Sequence, residues 1–175
     1  VFTKSKIDEL LLEIVSLCRK HGSQLLKTHL MTNETCSPKI YAEMSDDELL
    51  SHFLDLHFPH KMSPLFRSML DSAELVQYLA ELVGPNVKCM QSMLFVKKSA
   101  KPGQAWHPAE QFLPTRARSL TGVWIALDDA TIENGCLWVI RGSHHAGVIY
   151  PVKPPASEEY DGAPESFDYP HSADE

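Results

Sequence analysis

The sequence predicts an α+β fold, with helices in the first half of the chain and strands in the second. Apolar residues repeat at helical spacing as far as Gly84, and beyond it they alternate as in strands. The chain has no glycine-rich phosphate loop and no regular alternation of strand and helix, which argues against a nucleotide-binding α/β fold. Its 175 residues match the length of one domain.

Capping signals and apolar periodicity define the predicted helices. Ser5 is a candidate cap and Gly22 a candidate end for the first helix, and Ser45 begins a Ser-Asp-Asp-Glu capping box. Asp71 and Gly84 bracket another apolar helical face. The predicted helices cover residues 5–22, 45–59 and 71–84, and the polar residues 23–43 are predicted to form a loop.

The second half is predicted to contain short strands. Alternating or continuous apolar runs mark them, and Asn134-Gly135 is a hairpin signal. The predicted strands cover residues 87–97, 120–127, 136–140 and 147–152. We therefore expect a single domain over 1–175, with a mainly helical part (1–84), a strand part (85–152) and a loop or disordered tail (153–175).

Composition excludes several classes of protein. The net charge of −7 argues against nucleic acid as the main partner, because phosphate binding needs a basic surface. No apolar run is long enough for a membrane span, and the first residues lack the pattern of a signal peptide. The four cysteines are widely spaced, which predicts free thiols in a reducing compartment. We expect an intracellular protein, with the cytoplasm as the favoured compartment and the peroxisome as the alternative. The sequence does not indicate an oligomeric state.

The candidate catalytic and metal-binding residues are concentrated between Val83 and Pro151. This run resembles the phytanoyl-CoA dioxygenase family of Fe(II)- and 2-oxoglutarate-dependent oxygenases. The matching segments are Met93-Leu94, residues 103–107 (Gly-Gln-Ala-Trp-His), residues 123–129 (Val-Trp-Ile-Ala-Leu-Asp-Asp), residues 133–140 (Glu-Asn-Gly-Cys-Leu-Trp-Val-Ile) and Gly142-Ser143-His144.

The resemblance implies a fold and a reaction. The fold would be a helical N-terminal part packed on a double-stranded β-helix, a cupin-like jelly roll, of which this chain holds an incomplete part. The reaction would be hydroxylation of a C–H bond, with succinate and CO2 as co-products. Two histidines and one carboxylate would hold Fe(II), and 2-oxoglutarate would bind beside it. The substrate would be a small molecule of anionic or lipid-like character.

The metal motif departs from the family pattern at its second ligand. His107 occupies the position of the first ligand, but Ala109 stands where the family has the carboxylate. Residues i and i+2 share one face of a strand, so Glu110 would face away from His107 and is a poor substitute. Pro108 and Arg141 are further departures.

The distal histidine of the family is expected to be absent from this chain. In the family it lies several strands after Gly-Ser-His and precedes an arginine that binds 2-oxoglutarate. His144, His145 and His171 follow the motif here, but none lies in a predicted strand. We therefore expect His107 to be the one metal ligand, and the chain to stop before the barrel closes.

The other candidate functional residues each have a functional and a structural interpretation. By resemblance, Met93 and Trp124 line the 2-oxoglutarate pocket, although core packing would explain them equally well. Asp128-Asp129 is interpreted as a turn rather than an acid pair. The basic residues around the motif would either contact an anionic substrate or lie on a solvated face; they are Lys97, Lys98, Lys101, Arg116 and Arg118. The histidines of the helical half are interpreted as surface or packing residues; they are His21, His29, His52, His57 and His60.

Three functions remain open at this point. The chain is an Fe(II)/2-oxoglutarate dioxygenase relative impaired by Ala109, or a non-catalytic pseudoenzyme or binding module. Alternatively, it is a halogenase, because relatives with Ala or Gly at the carboxylate position bind chloride on iron there.

Overall fold

The computed structural model describes residues 2–29, 38–97, 103–116, 120–146, 151–153 and 165–166. The chain forms two compact units, Val1–Ser99 and Ala100–Glu175, and each is described by itself below. Among the described residues, no helix is both long and apolar enough to cross a membrane. The single-domain organisation remains a prediction.

The first unit contains six helices and one two-stranded sheet among its described residues. Its elements are α1 (Lys4–His29), α2 (Pro38–Glu43), α3 (Asp46–Ser51), β1 (Asp55–His57), α4 (Pro59–Met62), α5 (Pro64–Leu70), α6 (Ala73–Val83) and β2 (Met93–Phe95). Helix α1 packs against α2, α3 and α5. The side chains that this packing buries include Leu10, Cys18, Tyr41, Leu49 and Phe53.

Helix α1 is longer than predicted at both ends. Thr3 rather than Ser5 caps it, because the Thr3 hydroxyl accepts a hydrogen bond from the Lys6 amide at 3.3 Å. The helix continues through Gly22 to His29. A glycine inside a helix costs only about 1 kcal/mol, and the good helix formers at 24–27 offset that cost. Helix α2 also lies in the predicted loop, so the loop prediction for 23–43 was wrong at both ends.

Arg19 joins α1 to the connection between α2 and α3. Its guanidinium donates to the carbonyl oxygens of Tyr41 at 2.8 Å and Met44 at 2.9 Å. The same group lies 2.5 Å from an Asp46 carboxylate oxygen. The Arg19 guanidinium thus binds the backbone carbonyls at and after the C-terminal end of α2 and forms an ion pair with Asp46, the first residue of α3.

The predicted helix 45–59 is correct at its start and wrong at its end. Ser45 accepts a hydrogen bond from the Glu48 amide at 3.3 Å, which confirms the cap. The helix ends at Ser51, and residues 55–57 form β1. β1 runs antiparallel to β2, with Leu56 opposite Leu94 and His57 opposite Met93. Pairing with a distant strand outweighs local helical periodicity here.

Two short helices follow β1 that the sequence analysis missed. Phe58 has a left-handed backbone (φ 56°), and its amide donates to the Ser92 carbonyl at 2.8 Å. Pro59 and Pro64 occupy first-turn positions of α4 and α5, where proline is favourable. The third predicted helix is present as α6, and its predicted end at Gly84 (φ 102°) is confirmed, but its N-cap is Ser72 rather than Asp71.

The second half contains less regular strand structure than predicted. β2 covers three residues of the predicted strand 87–97, and the segments 120–127 and 136–140 are irregular. An extended segment becomes a strand only when it pairs with a neighbouring strand, and no such pairing of these two segments is present among the described residues. A further short sheet pairs β3 (Val152–Lys153) with β4 (Glu165–Ser166), and residues 147–150 of the last predicted strand lie outside the described ones. The described residues do not confirm a double-stranded β-helix.

Candidate functional site

His107 is held in a defined orientation by its own segment. Its Nδ1 lies 2.6 Å from the carbonyl oxygen of Ala105. A carbonyl only accepts, so Nδ1 donates, and the neutral ring keeps its lone pair on Nε2. The edge-on ring of Phe112, with 4.8 Å between centroids, packs against the imidazole. This arrangement suits a metal-ligating Nε2, because such histidines usually donate their other nitrogen to a backbone carbonyl or a carboxylate.

Ala109 begins a 3-10 turn, Ala109–Gln111, rather than lying in a strand. The prediction that residues 107 and 109 share one face of a strand was wrong. Pro108 has an extended backbone (φ −77°, ψ 136°) at the start of the turn and donates no backbone hydrogen bond. Ala109 is exposed and offers only a methyl group, so this position supplies no metal ligand.

Glu110 is the carboxylate nearest in sequence to the motif, and it already has partners. One carboxylate oxygen accepts a hydrogen bond from the Leu120 amide at 3.2 Å. The same oxygen accepts a very short hydrogen bond from the Thr115 hydroxyl. These contacts tie Glu110 to the segment that follows it, which supports the interpretation that it does not replace the missing ligand.

Residues 128–136 form a turn stabilised by side chains. The Asp128 carboxylate accepts from the Asp129 amide at 2.8 Å, as expected for a turn rather than an acid pair. Asn134 accepts from the Thr131 amide at 2.8 Å and donates to the Asp129 carbonyl at 2.6 Å. Gly135 has a φ of 88°, a left-handed conformation that glycine adopts readily, which explains why a glycine follows Asn134 in this turn. A hydrogen bond from the Thr131 side chain lowers the pKa of Glu133.

The Gly-Ser-His motif forms another turn. Gly142 has a φ of 81°, and the short 3-10 helix Ser143–Ala146 follows it. The exposed rings of His144 and His145 contact each other with centroids 3.8 Å apart. His144 thus lies in a turn and not in a strand, in agreement with the prediction, and His171 lies outside the described residues.

The two predicted cofactor-pocket residues lie in different units. Met93 is half-buried in β2 of the first unit. Trp124 is 52% exposed in an irregular segment of the second unit, which also carries His107. Of the basic residues, Lys97 and Arg116 are exposed, whereas Lys98, Lys101 and Arg118 lie outside the described ones. Assignment of Met93 and Trp124 to a 2-oxoglutarate pocket remains a prediction.

The donor set around His107 does not fit a two-histidine, one-carboxylate iron centre. Among the described residues of the motif it consists of the His107 imidazole and the carboxylate of Glu110, which already has partners, while Ala109 contributes only a methyl group and no donor atom. Within the described ranges, no three or more His, Cys, Asp or Glu side chains are grouped so that they could hold a metal ion.

A polar cluster in the first unit was missed by the sequence analysis, which interpreted its histidines as surface or packing residues. The side-chain amide of Gln91 contacts both His57 Nδ1 and Met93 Sδ. The buried carboxylate of Asp55 lies 3.7 Å from the other ring nitrogen of His57, Nε2. His60 is 2.5 Å from the Ser92 hydroxyl. The signal in the sequence was the short spacing of 55, 57 and 60, but only the pairing of β1 with β2 brings 91–93 to them.

Comparison with known proteins identifies the family. The family model described as phytanoyl-CoA dioxygenase matches residues 1–172. "Phytanoyl-CoA dioxygenase" of Arabidopsis thaliana is 36% identical over 94 residues, which is 53% of this chain and 33% of that protein. "Phytanoyl-CoA dioxygenase domain-containing protein 1" of Bos taurus is 42% identical over 95 residues, covering 53% and 32%.

These matches cover only part of each relative. The chain spans about a third of the length of the curated relatives it matches. No solved structure matches it. Because the family model matches almost the whole chain, the chain belongs to the phytanoyl-CoA dioxygenase family, whose fold is cupin-like.

Proposed function

We propose that this chain is a phytanoyl-CoA dioxygenase relative in which Fe(II)- and 2-oxoglutarate-dependent hydroxylation is impaired. The observation that carries the proposal is Ala109, which places a methyl group where the family has its carboxylate ligand. Removing one of three ligands weakens iron binding, because each ligand contributes to both affinity and geometry.

The surroundings of Ala109 support this proposal. His107 presents one nitrogen that suits a metal ion, since Nδ1 is bonded to the Ala105 carbonyl. Moving Glu110 into the vacated position would break its bonds to Thr115 and Leu120, and each such bond to a charged group contributes about 1.5–3 kcal/mol. The fold therefore opposes repair of the site by a neighbouring carboxylate.

The proposal extends to the architecture and the ligands. The apolar segments 120–127 and 136–140 would be strands of a double-stranded β-helix, within one domain that includes the helical part. Met93 and Trp124 would line the 2-oxoglutarate pocket. The substrate would be a small molecule of anionic or lipid-like character, for which exposed Arg116 is a contact candidate. The free thiols Cys18, Cys89 and Cys136 support an intracellular location.

Anaerobic addition of Fe(II) and 2-oxoglutarate to the 175-residue protein tests the proposal. We expect no visible charge-transfer band from an iron-bound 2-oxoglutarate chelate, and no succinate above a protein-free control after oxygen is admitted. A band that disappears in His107→Ala, together with succinate release, would contradict the proposal.

The same assay with added chloride distinguishes a halogenase from an impaired hydroxylase. A halogenase with alanine at position 109 needs chloride for turnover, so succinate release would depend on chloride. We expect no release with or without chloride. Sulfate at equal ionic strength is the control for a general salt effect.

A further inference from the structure

The dipeptide Asn134-Gly135 is chemically labile. Asparagine loses its side-chain amide when the backbone nitrogen of the next residue attacks Cγ, and glycine hinders this attack least because it has no Cβ. Asn134 precedes a glycine, whereas Asn33 and Asn86 precede larger residues. The local sequence therefore marks Asn134 as the asparagine that deamidates fastest in an unfolded chain.

Packing does not shield this dipeptide. Asn134 and Gly135 are both exposed. Apart from its chain neighbours, Gly135 has no heavy atom within 4 Å of the position that a Cβ would occupy. Protection from deamidation would therefore have to come from the hydrogen bonds of the turn.

The turn holds the Asn134 carboxamide toward residues that precede it. Its Oδ1 accepts from the Thr131 amide at 2.8 Å, and its Nδ2 donates to the Asp129 carbonyl at 2.6 Å. Deamidation requires instead that Cγ approach the backbone nitrogen of Gly135, which follows Asn134. Rotating the side chain toward that nitrogen would break hydrogen bonds at both polar atoms of the carboxamide.

We propose that Asn134 is a deamidation site that reacts only when this turn opens. The Gly135 nitrogen then forms a bond to Asn134 Cγ, the Cγ–Nδ2 bond breaks, and Nδ2 leaves as ammonia with the proton from the Gly135 amide. Water opens the resulting succinimide at either carbonyl, giving aspartate or isoaspartate. Water is the one co-reactant, and this inference does not depend on the proposed function.

The product does not restore the turn. Aspartate at position 134 still accepts from the Thr131 amide, but it places a charged oxygen against the Asp129 carbonyl where Nδ2 donated. Isoaspartate lengthens the backbone by one carbon atom. Deamidation is therefore expected to open permanently the connection between segments 120–127 and 136–140.

Deamidation rates of the folded chain and of a short peptide test the proposal. The blocked peptide Ile132–Cys136 contains the labile dipeptide but lacks Asp129 and Thr131. Both samples are incubated at neutral pH in the same reducing buffer, and peptide mass spectrometry follows the conversion of amide to acid. We expect Asn134 to react at least about tenfold more slowly in the folded chain, because the turn must open first.

Two variants at position 131 test the cause of this protection. Thr131→Pro removes the amide that donates to Asn134, and it is expected to bring the rate within about threefold of the peptide's. Thr131→Ser keeps that amide and is the matched control, with an unchanged rate. Circular dichroism establishes that Thr131→Pro retains the helical structure of the first unit.

Hydrogen exchange tests the effect of the product. The Cys136 amide donates to the Thr131 carbonyl at 3.0 Å across the turn. In Asn134→Asp this amide is expected to exchange at least about fivefold faster than in the parent chain.

Three results would overturn the proposal. Asn134 reacts as fast in the folded chain as in the peptide, or Thr131→Pro leaves the rate of the folded chain unchanged. In the third, Asn134→Asp does not alter exchange of the Cys136 amide.

Discussion

The first unit buries large side chains, whereas the described residues of the second unit bury only Ala105. Tyr41, Phe53 and Leu49 in the first unit are each at most 2% exposed. In the second unit Trp124 is 52% exposed and Val139 76% exposed. Apolar burial therefore stabilises the first unit, and the described part of the second is organised by turn hydrogen bonds such as those of Glu110 and Asn134.

Two aromatic substitutions test this contrast most strongly. Phe53→Ala is expected to lower the free energy of unfolding by about 3–5 kcal/mol, because it removes a buried ring and leaves a cavity. Trp124→Ala is expected to lower it by less than half as much as Phe53→Ala, because about half of the Trp124 side chain is already in water. Urea unfolding followed by circular dichroism measures both. Equal losses would show that Trp124 is a core residue.

Thiol labelling compares buried and exposed positions directly. Burial raises the pKa of Cys18 to about 12, from a normal value of 9.0, whereas Cys89 is exposed. Since the thiolate is the reactive form and the Cys18 thiol is buried, iodoacetamide at pH 8 is expected to label Cys89 far faster than Cys18. Peptide mass spectrometry identifies the labelled cysteine. Comparable rates at the two positions would mean that α1 opens readily.

The raised pKa of Cys18 also predicts a pH dependence. The unfolded thiol ionises near pH 9, whereas the folded thiol keeps its proton up to about pH 12. Stability is therefore expected to fall as pH rises through this window, because the unfolded state releases a proton that the folded state holds. Cys18→Ala removes this dependence and is the matched control.

Arg19 tests a polar contribution to the first unit. Arg19→Met keeps much of the side-chain length but removes the donors to Tyr41 and Met44, so the free energy of unfolding should fall by about 1–3 kcal/mol. Lys4→Met is the control, because the Lys4–Asp8 pair is exposed and contributes less than about 0.5 kcal/mol. Similar losses in both variants would contradict a specific role for Arg19.

His60 is expected to show the smallest effect. Partial burial and the nearby charges of Lys61 and Arg67 lower its pKa below the usual 6.5. Acid therefore protonates the unfolded state more readily, so the contribution of His60 to stability is lost as pH falls below 6.5. An NMR titration of the His60 ring should give a midpoint below that of an unfolded peptide. A midpoint above 6.5 would contradict this.

Some local signals in the sequence were reliable, whereas the cap predicted at Ser5 and the helix end predicted at Gly22 were wrong. The cap at Ser45, the helix end at Gly84 and the turn at Asn134-Gly135 all depend on residues close in sequence. The strand β1 could not be predicted, because Leu56 continues a helical apolar pattern and only its distant partner Leu94 makes it a strand. Segment 120–127 has strand-like composition but no strand partner among the described residues.

At the candidate site too, some features could be predicted from the sequence and others depend on the folded conformation. The absence of a carboxylate at Ala109 is a property of the sequence and needed no structure. The turn that carries Ala109, the bond from His107 to Ala105 and the partners of Glu110 are conformational, so alternation along a presumed strand gave the wrong geometry. The His57–Gln91–Met93 contacts join residues more than 30 positions apart, which no local pattern indicates.

The central claim is that Fe(II) binding is weakened because Ala109 stands where the family has a carboxylate ligand. Anaerobic Fe(II) binding in the presence of 2-oxoglutarate, measured for the wild-type chain and Ala109→Asp, tests it most directly. We predict that Ala109→Asp binds Fe(II) at least about tenfold more tightly, because it restores a carboxylate at the position where the family has its ligand. Equal affinity in the two proteins, or tighter binding by the wild type, would contradict the account.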